Sequence, residues 1–92
     1  MTIRFEWDPD KAKRNLAKHG VSFEDAATAF GDPLSLTIFD PDHSDDEDRF
    51  ILVGSTGGGH LVVVAHVDRA GVVRIISARI ATKRERRTYE SG

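Results

Sequence analysis

The sequence predicts an α+β domain: an antiparallel β-sheet with two helices in its N-terminal part and a short C-terminal helix, ordered β-α-α-β-β-β-β-α. Three observations carry this. An alternating start, "IRFEW", runs into "DPDKAKRNLAKHG", which has helical spacing and helical end signals. Four β-rich runs follow, at 34–39, 49–55, 61–67 and 72–80, mostly joined by short turns, and consecutive short connections imply an antiparallel meander. "TKRE" then opens a last helix. Helices on one face of such a sheet leave the other face open for a partner or substrate.

Each element has a local reason. Ile3, Phe5 and Trp7 alternate with Arg4 and Glu6, which gives a short strand one apolar face. Asp8 is a good N-cap, and Pro9 suits the first helical position, where its missing N–H costs nothing. That helix runs from Pro9 to His19, and Gly20 ends it, because a residue just past a helix often takes the left-handed conformation. Ala12, Leu16 and His19 form its inner stripe; Lys11, Asn15 and Lys18 form a separate polar one. Ser22 with Asp25 resembles a capping box, and "GDP" at 31–33 stops the second helix. "TGGGH" (56–60) and "DRAG" (68–71) read as hairpin turns. Thr82 with Glu85 is a capping box for a helix reaching about Tyr89.

The 92 residues make one domain, with residues 1–92 as its span, and they contain no cysteine, so neither disulfides nor thiolate metal sites are available. The opening segment has no apolar signal-like core, and no apolar run approaches membrane-spanning length. A soluble, cytoplasmic protein without membrane contact is the expectation. The net charge of −2 conceals segregation. Residues 40–48 hold six acids and no Lys or Arg, whereas 11–19 hold four Lys/Arg and no acid. Residues 74–90 hold six basic residues against two acids. Binding follows such local fields more than the net value.

Several chemistries are disfavoured. "GSTGGGH" lacks the phosphate-loop pattern and precedes a strand. The acids of 40–48 lack the calcium-loop spacing, and the four histidines lack zinc spacing, so no metal or other cofactor is expected. What remains is a basic and aromatic set: Trp7, Lys11, Lys18, His19, His66, Arg74, Arg79, Lys83, Arg86 and Tyr89. Cations pair with phosphates and aromatic rings stack on unpaired bases, so the set suits RNA. It also suits metal-independent RNA cleavage. That reaction needs a base for the 2′-hydroxyl proton, an acid for the leaving 5′-oxygen and cations at the crowded phosphate. Structural alternatives stand beside each member. Trp7 and His66 fit core positions, and His19 fits the favourable end of a helix dipole. Arg74 and Arg79 lie in an otherwise apolar strand, where an unpartnered Arg is costly. In a regular strand they point to opposite faces, unless a bulge intervenes; Arg79, nearer the strand end, is favoured for the site.

"FEWDPDKAKRNLAKHGVSFEDAATAFGDP" and "RIISARIATKRERRTYE", in this order and separation, together resemble the BrnT family, toxins of type II toxin–antitoxin systems. The middle "DPDHSDDEDRFILVGST" fits as well, so the resemblance covers essentially the whole chain. It implies a RelE-like fold, an endoribonuclease that inhibits translation either on the ribosome or on free RNA, and a cognate BrnA-like antitoxin. DNA would be contacted only through the antitoxin complex. Carried onto this sequence, the family pattern falls on Trp7, Lys11, Asn15, Lys18 and His19, then on Arg74, Ser77 and Arg79, then on Glu85, Arg86 and Tyr89. The resulting expectation has Arg79, Arg74, Trp7, His19 and Lys11 as catalytic residues, and Lys18, Asn15, Lys83, Arg86, Tyr89 and His66 as RNA-binding residues. His19, His66 and Lys11 all remain candidates for the general base. The late strand and helix would join the first helix in a cationic groove, with the acidic 40–48 loop outside it. The competing reading is a non-catalytic RNA- or protein-binding module derived from the toxin fold.

Overall fold

The computed structural model describes residues 3–43 and 47–92. The strands are β1 (Arg4–Glu6), β2 (Leu36–Asp40), β3 (Arg49–Ser55), β4 (Leu61–Arg69) and β5 (Val72–Ile80), and the helices are α1 (Pro9–His19), α2 (Phe23–Thr28) and α3 (Lys83–Ser91). Their sequence order is the expected one. The strands form one sheet in the order β1-β5-β4-β3-β2.

This sheet is mixed, which corrects the antiparallel expectation. β2 to β5 form the antiparallel meander, but β1 pairs with β5 in parallel, Phe5 opposite Val73. The chain reaches the far edge of the sheet through α1 and α2. Alternation in "IRFEW" fixes which side chains face the core, but carries no information on partner or direction.

The ends of the elements follow local chemistry. The Asp8 carboxylate accepts from the N–H of Asp10 at 2.8 Å, and Gly20 closes α1 with φ 70°. Thr82 Oγ1 accepts from the Glu85 N–H while Glu85 Oε1 accepts from the Thr82 N–H at 2.8 Å, so the predicted capping box is complete. The β4–β5 hairpin turns on Ala70 and Gly71, both at positive φ, and the Asp68 carboxylate accepts from the Gly71 N–H.

One face of the sheet packs against α2 and part of α1. Phe23, Ala26 and Ala29 are fully buried there against Leu52, Val62, Val64, Ile75 and Ala78. α3 crosses the opposite face, over the end formed by β2 and β3, where Tyr89 and Thr88 share a cleft with Leu36, Ile38, Ile51 and Val53. Helices therefore lie on both faces, not one. The run "FILV" is apolar on both sides because each side has a helix to meet: Leu52 joins the core, and Ile51 and Val53 line the cleft under α3.

α1 also departs from its predicted wheel. Leu16 is half exposed, and the buried residue is Asn15. β1 spans only three residues, so the outer edge of β5 continues beyond it with unpaired backbone groups. Asn15 supplies the partner: its amide nitrogen donates to the Ala78 carbonyl at 2.8 Å and the Val21 carbonyl at 2.9 Å, and its oxygen accepts from the Ala78 N–H at 3.1 Å. A side chain does here what a neighbouring strand would do, which is why a polar residue is buried.

Candidate nucleic-acid interface

The pairing of β4 with β5 slips between Ala65 and His66. Ala65 faces Ser77 and His66 faces Ile75, which leaves Ile76 as the extra residue of a bulge. Arg74 pairs with Val67 and Arg79 with Val63. Those two valines are four residues apart on β4 and share a face, so the bulge brings both arginines to one side of the sheet. The sequence alone allowed this only as the exception.

Their surroundings then separate them. The Arg79 guanidinium makes a bidentate pair with Glu85, Nη1 to Oε1 at 2.7 Å and Nη2 to Oε2 at 2.8 Å. That pair, with the capping hydrogen bond from Thr82, holds the Glu85 carboxyl down to about 2. Arg79 would have to leave this pair to reach a phosphate with its full fork. Arg74 has a looser neighbour, Glu6 at 3.6 Å.

Two clefts meet at the bulge. Lys11, Arg14, Lys18 and His19 line the first together with Ile76 and Ser77. Lys11, Arg49, Arg69 and Arg74 line the second, with His43, Glu47, Val67 and Ile76. Lys11 and Ile76 belong to both, so the cations form one continuous strip from the end of α1 to the middle of the sheet. Asn15 anchors α1 beside this strip and spends its amide on backbone. Arg14, Arg49 and Arg69 were not singled out in the sequence. Arg14 had a signal, lying three residues after Lys11 and four before Lys18 on one helix face; Arg49 and Arg69 gain their place only from strand register.

The acidic stretch is not wholly outside the groove. Glu47 lies in the second cleft, where its carboxylate accepts from Arg69 Nε at 2.6 Å, and His43 stands beside it. Residues 44–46, the middle of that stretch, lie outside the described residues.

Other candidates lie elsewhere. His66 is 6% exposed on the opposite face, between the rings of Phe30 and Phe50, with Nδ1 3.2 Å from the Val64 carbonyl oxygen. Burial pushes its imidazole below the ordinary value. Trp7 packs edge-on to Phe23, ring centres 5.9 Å apart, and lines a separate cleft with Pro9 and Leu16. The Tyr89 hydroxyl donates to Asp32 Oδ2 at 2.6 Å. This bond, with the N–H groups of Ser55 and Leu34, holds the Asp32 carboxyl below the usual range. Lys83 and Arg86, on α3, line neither basic cleft. Among the described residues no group of three or more histidines and carboxylates is arranged to hold a metal ion. No helix among them is long and apolar enough to cross a membrane.

The family described as the ribonuclease toxin BrnT of type II toxin–antitoxin systems matches residues 7–85, most of the chain. The protein belongs to the BrnT toxin family. Among solved structures, its fold matches the crystal structure of the Brucella abortus ribonuclease toxin BrnT, with 25% sequence identity and a TM-score of 0.64. The match covers 89% of this chain and all of that one. No curated protein matches by sequence. The family is a ribonuclease toxin family, which implies RNA as target and an antitoxin as partner. The mixed sheet and three helices described above are thus a BrnT fold.

Proposed function

We propose that this BrnT-family protein is a metal-independent endoribonuclease whose RNA lies along the cationic strip at the β5 bulge, and that RNA cleavage there inhibits translation. The observation that carries this is the joining of the two basic clefts through Lys11 and Ile76. A polyanion needs a continuous track, and positive side chains from a helix and three strands converge on one.

In this reading Arg74 and Lys11 contact the phosphate and stabilise charge that develops on its non-bridging oxygens. His19, in the same cleft as Lys11, Lys18 and Ser77, transfers protons. Attack of the 2′-oxygen on phosphorus releases the 5′-oxygen, which takes a proton as it leaves. Arg79, held by Glu85 in the cleft under α3, lines neither basic cleft and stands apart from the strip. A cognate BrnA-like antitoxin neutralises the toxin, and contact with DNA runs through that complex. The arrangement of sheet and helices would then be a variant of the RelE type, and the site of action the cytoplasm.

The test is cleavage of labelled RNA by the purified protein in EDTA, with and without ribosomes. Arg74→Ala and Lys11→Ala each lower the rate by about 10²-fold with circular dichroism unchanged. Trp7→Ala, in the separate cleft, keeps its rate per folded molecule. Cleavage that vanishes in EDTA, or that survives both cation substitutions, defeats the proposal. A well-folded protein that binds RNA without cutting it would instead be a binding module.

A further inference from the structure

The edge of the sheet formed by β2 has no strand beside it among the described residues, and it is apolar. Ile38 is 61% exposed and Phe39 48%. Exposed edges of this kind are normally blunted by charge, proline or a covering element, since they template pairing with another chain. β2 carries no Lys or Arg, and its single charge is Asp40 at the last position. Beside the edge, on the face that α3 crosses, lies a cleft of about 260 Å³ whose floor is Leu36, Ile38, Ile51 and Val53. Arg84 stands at its wall, and Arg84 and Arg87 continue past Leu36 into an adjoining cleft. Neither arginine has an ion-pair partner among the described residues.

We propose that this edge and cleft are the docking surface for one extended segment of a protein partner, which adds to β2 as a further strand. The segment carries apolar side chains at alternate positions, to fill the cleft floor, and carboxylates that meet Arg84 and Arg87. Main-chain hydrogen bonds supply affinity and the alternate side chains supply specificity. A second copy of this chain fits less well, because two-fold pairing of β2 edges brings both α3 helices to one face, with their arginines toward each other. RNA fits less well because the floor is aliphatic, and Tyr89, the ring that lines the cleft, is tied by its hydroxyl to Asp32. That the partner is an antitoxin rests on the toxin–antitoxin reading above; the surface itself does not.

Hydrogen exchange on the full chain, alone and co-expressed with a BrnA-like antitoxin, provides the first test. The proposal expects slowed exchange in β2, with the basic strip at the bulge less affected. A complex that leaves β2 exchanging as before overturns it. Failure to form any complex counts against the toxin–antitoxin reading, and the surface is then decided with a synthetic peptide. The peptide alternates valine and threonine between aspartate-rich ends, and a lysine-ended counterpart is the control. Fluorescence anisotropy should show the aspartate form binding, weakened about tenfold by Arg84→Glu with Arg87→Glu. The lysine form should gain affinity for that same variant, a reversal that misfolding does not produce. Equal binding of both peptides, displacement by a short RNA, or a dimer in sedimentation that Ile38→Asp dissolves, each overturns the proposal.

Discussion

At one end of the sheet, β5 runs past the three residues of β1, and the amide of Asn15 takes up the backbone groups that β1 does not reach. At the other end, β2 presents its outer edge with Ile38 and Phe39 exposed. The closed edge is polar inside and cationic outside; the open edge is apolar. An edge sealed by a side chain becomes rigid, and can hold charges at fixed positions. An edge left unsealed can still accept a strand. The two ends of one sheet are thus suited to different partners, a polyanion and a polypeptide, and the difference begins with how each edge meets its hydrogen bonds.

The largest expected effect comes from breaking the closed edge. Asn15→Ala leaves the Ala78 N–H and two carbonyls without partners, and should cost about 2–4 kcal/mol in urea unfolding. Asn15→Asp should cost at least as much, because a carboxylate cannot donate to the Val21 and Ala78 carbonyls and buries a charge. If both variants are as stable as the parent, the amide is not what closes the edge.

Next in size is the clamp that fastens α3. The folded-state value of Glu85, about 2, lies below its ordinary 4.5. The unfolded chain therefore binds the proton first, and the stabilisation is complete above pH 5 and is lost as pH falls toward 2. Arg79 is 42% exposed in its side chain, so solvent screening reduces the contribution to about 1 kcal/mol. Glu85→Gln should remove that amount at pH 7 and flatten the acid slope; an unchanged slope would show that the pair does not fasten the helix.

His66 tests the interior between the edges. Its imidazole is depressed by burial from 6.5, so the unfolded chain protonates first as pH falls below that value and stability declines. His66→Phe should flatten stability between pH 7 and 5 while RNA cleavage persists. Loss of cleavage in a well-folded His66→Phe would move the reaction to the helix face.

The smallest effect is expected at the open edge. Ile38→Lys should change stability by less than about 0.5 kcal/mol, since the side chain is largely in water. A large loss in the isolated protein would show that Ile38 packs within the fold and that the edge is not open.

Much of the fold was legible along the chain. The Asp8 cap, the Gly20 stop, the "DRAG" turn and the Thr82–Glu85 box each act within a few residues, and the structure has each of them. The basic character of 11–19 and 74–87 was legible for the same reason. Less of the candidate site was. Arg74 and Lys11 were named, but the sequence favoured Arg79, and only the fold shows that Glu85 holds it. His66 reads the same whether its strand faces helix or open surface, and the structure puts it among rings.

By itself, then, the sequence determined the elements, their order, the caps and the excess of positive charge, because these depend on residues near one another in the chain. Only the tertiary structure decided that β1 pairs in parallel with β5, that α3 crosses the opposite face, and that Asn15 closes an edge. It also decided that Ile76 is extra, and so that Arg74 and Arg79 share a side. Each of these depends on backbone groups meeting partners distant in sequence, and a shift of one residue in such a pairing turns a side chain from one face of the sheet to the other.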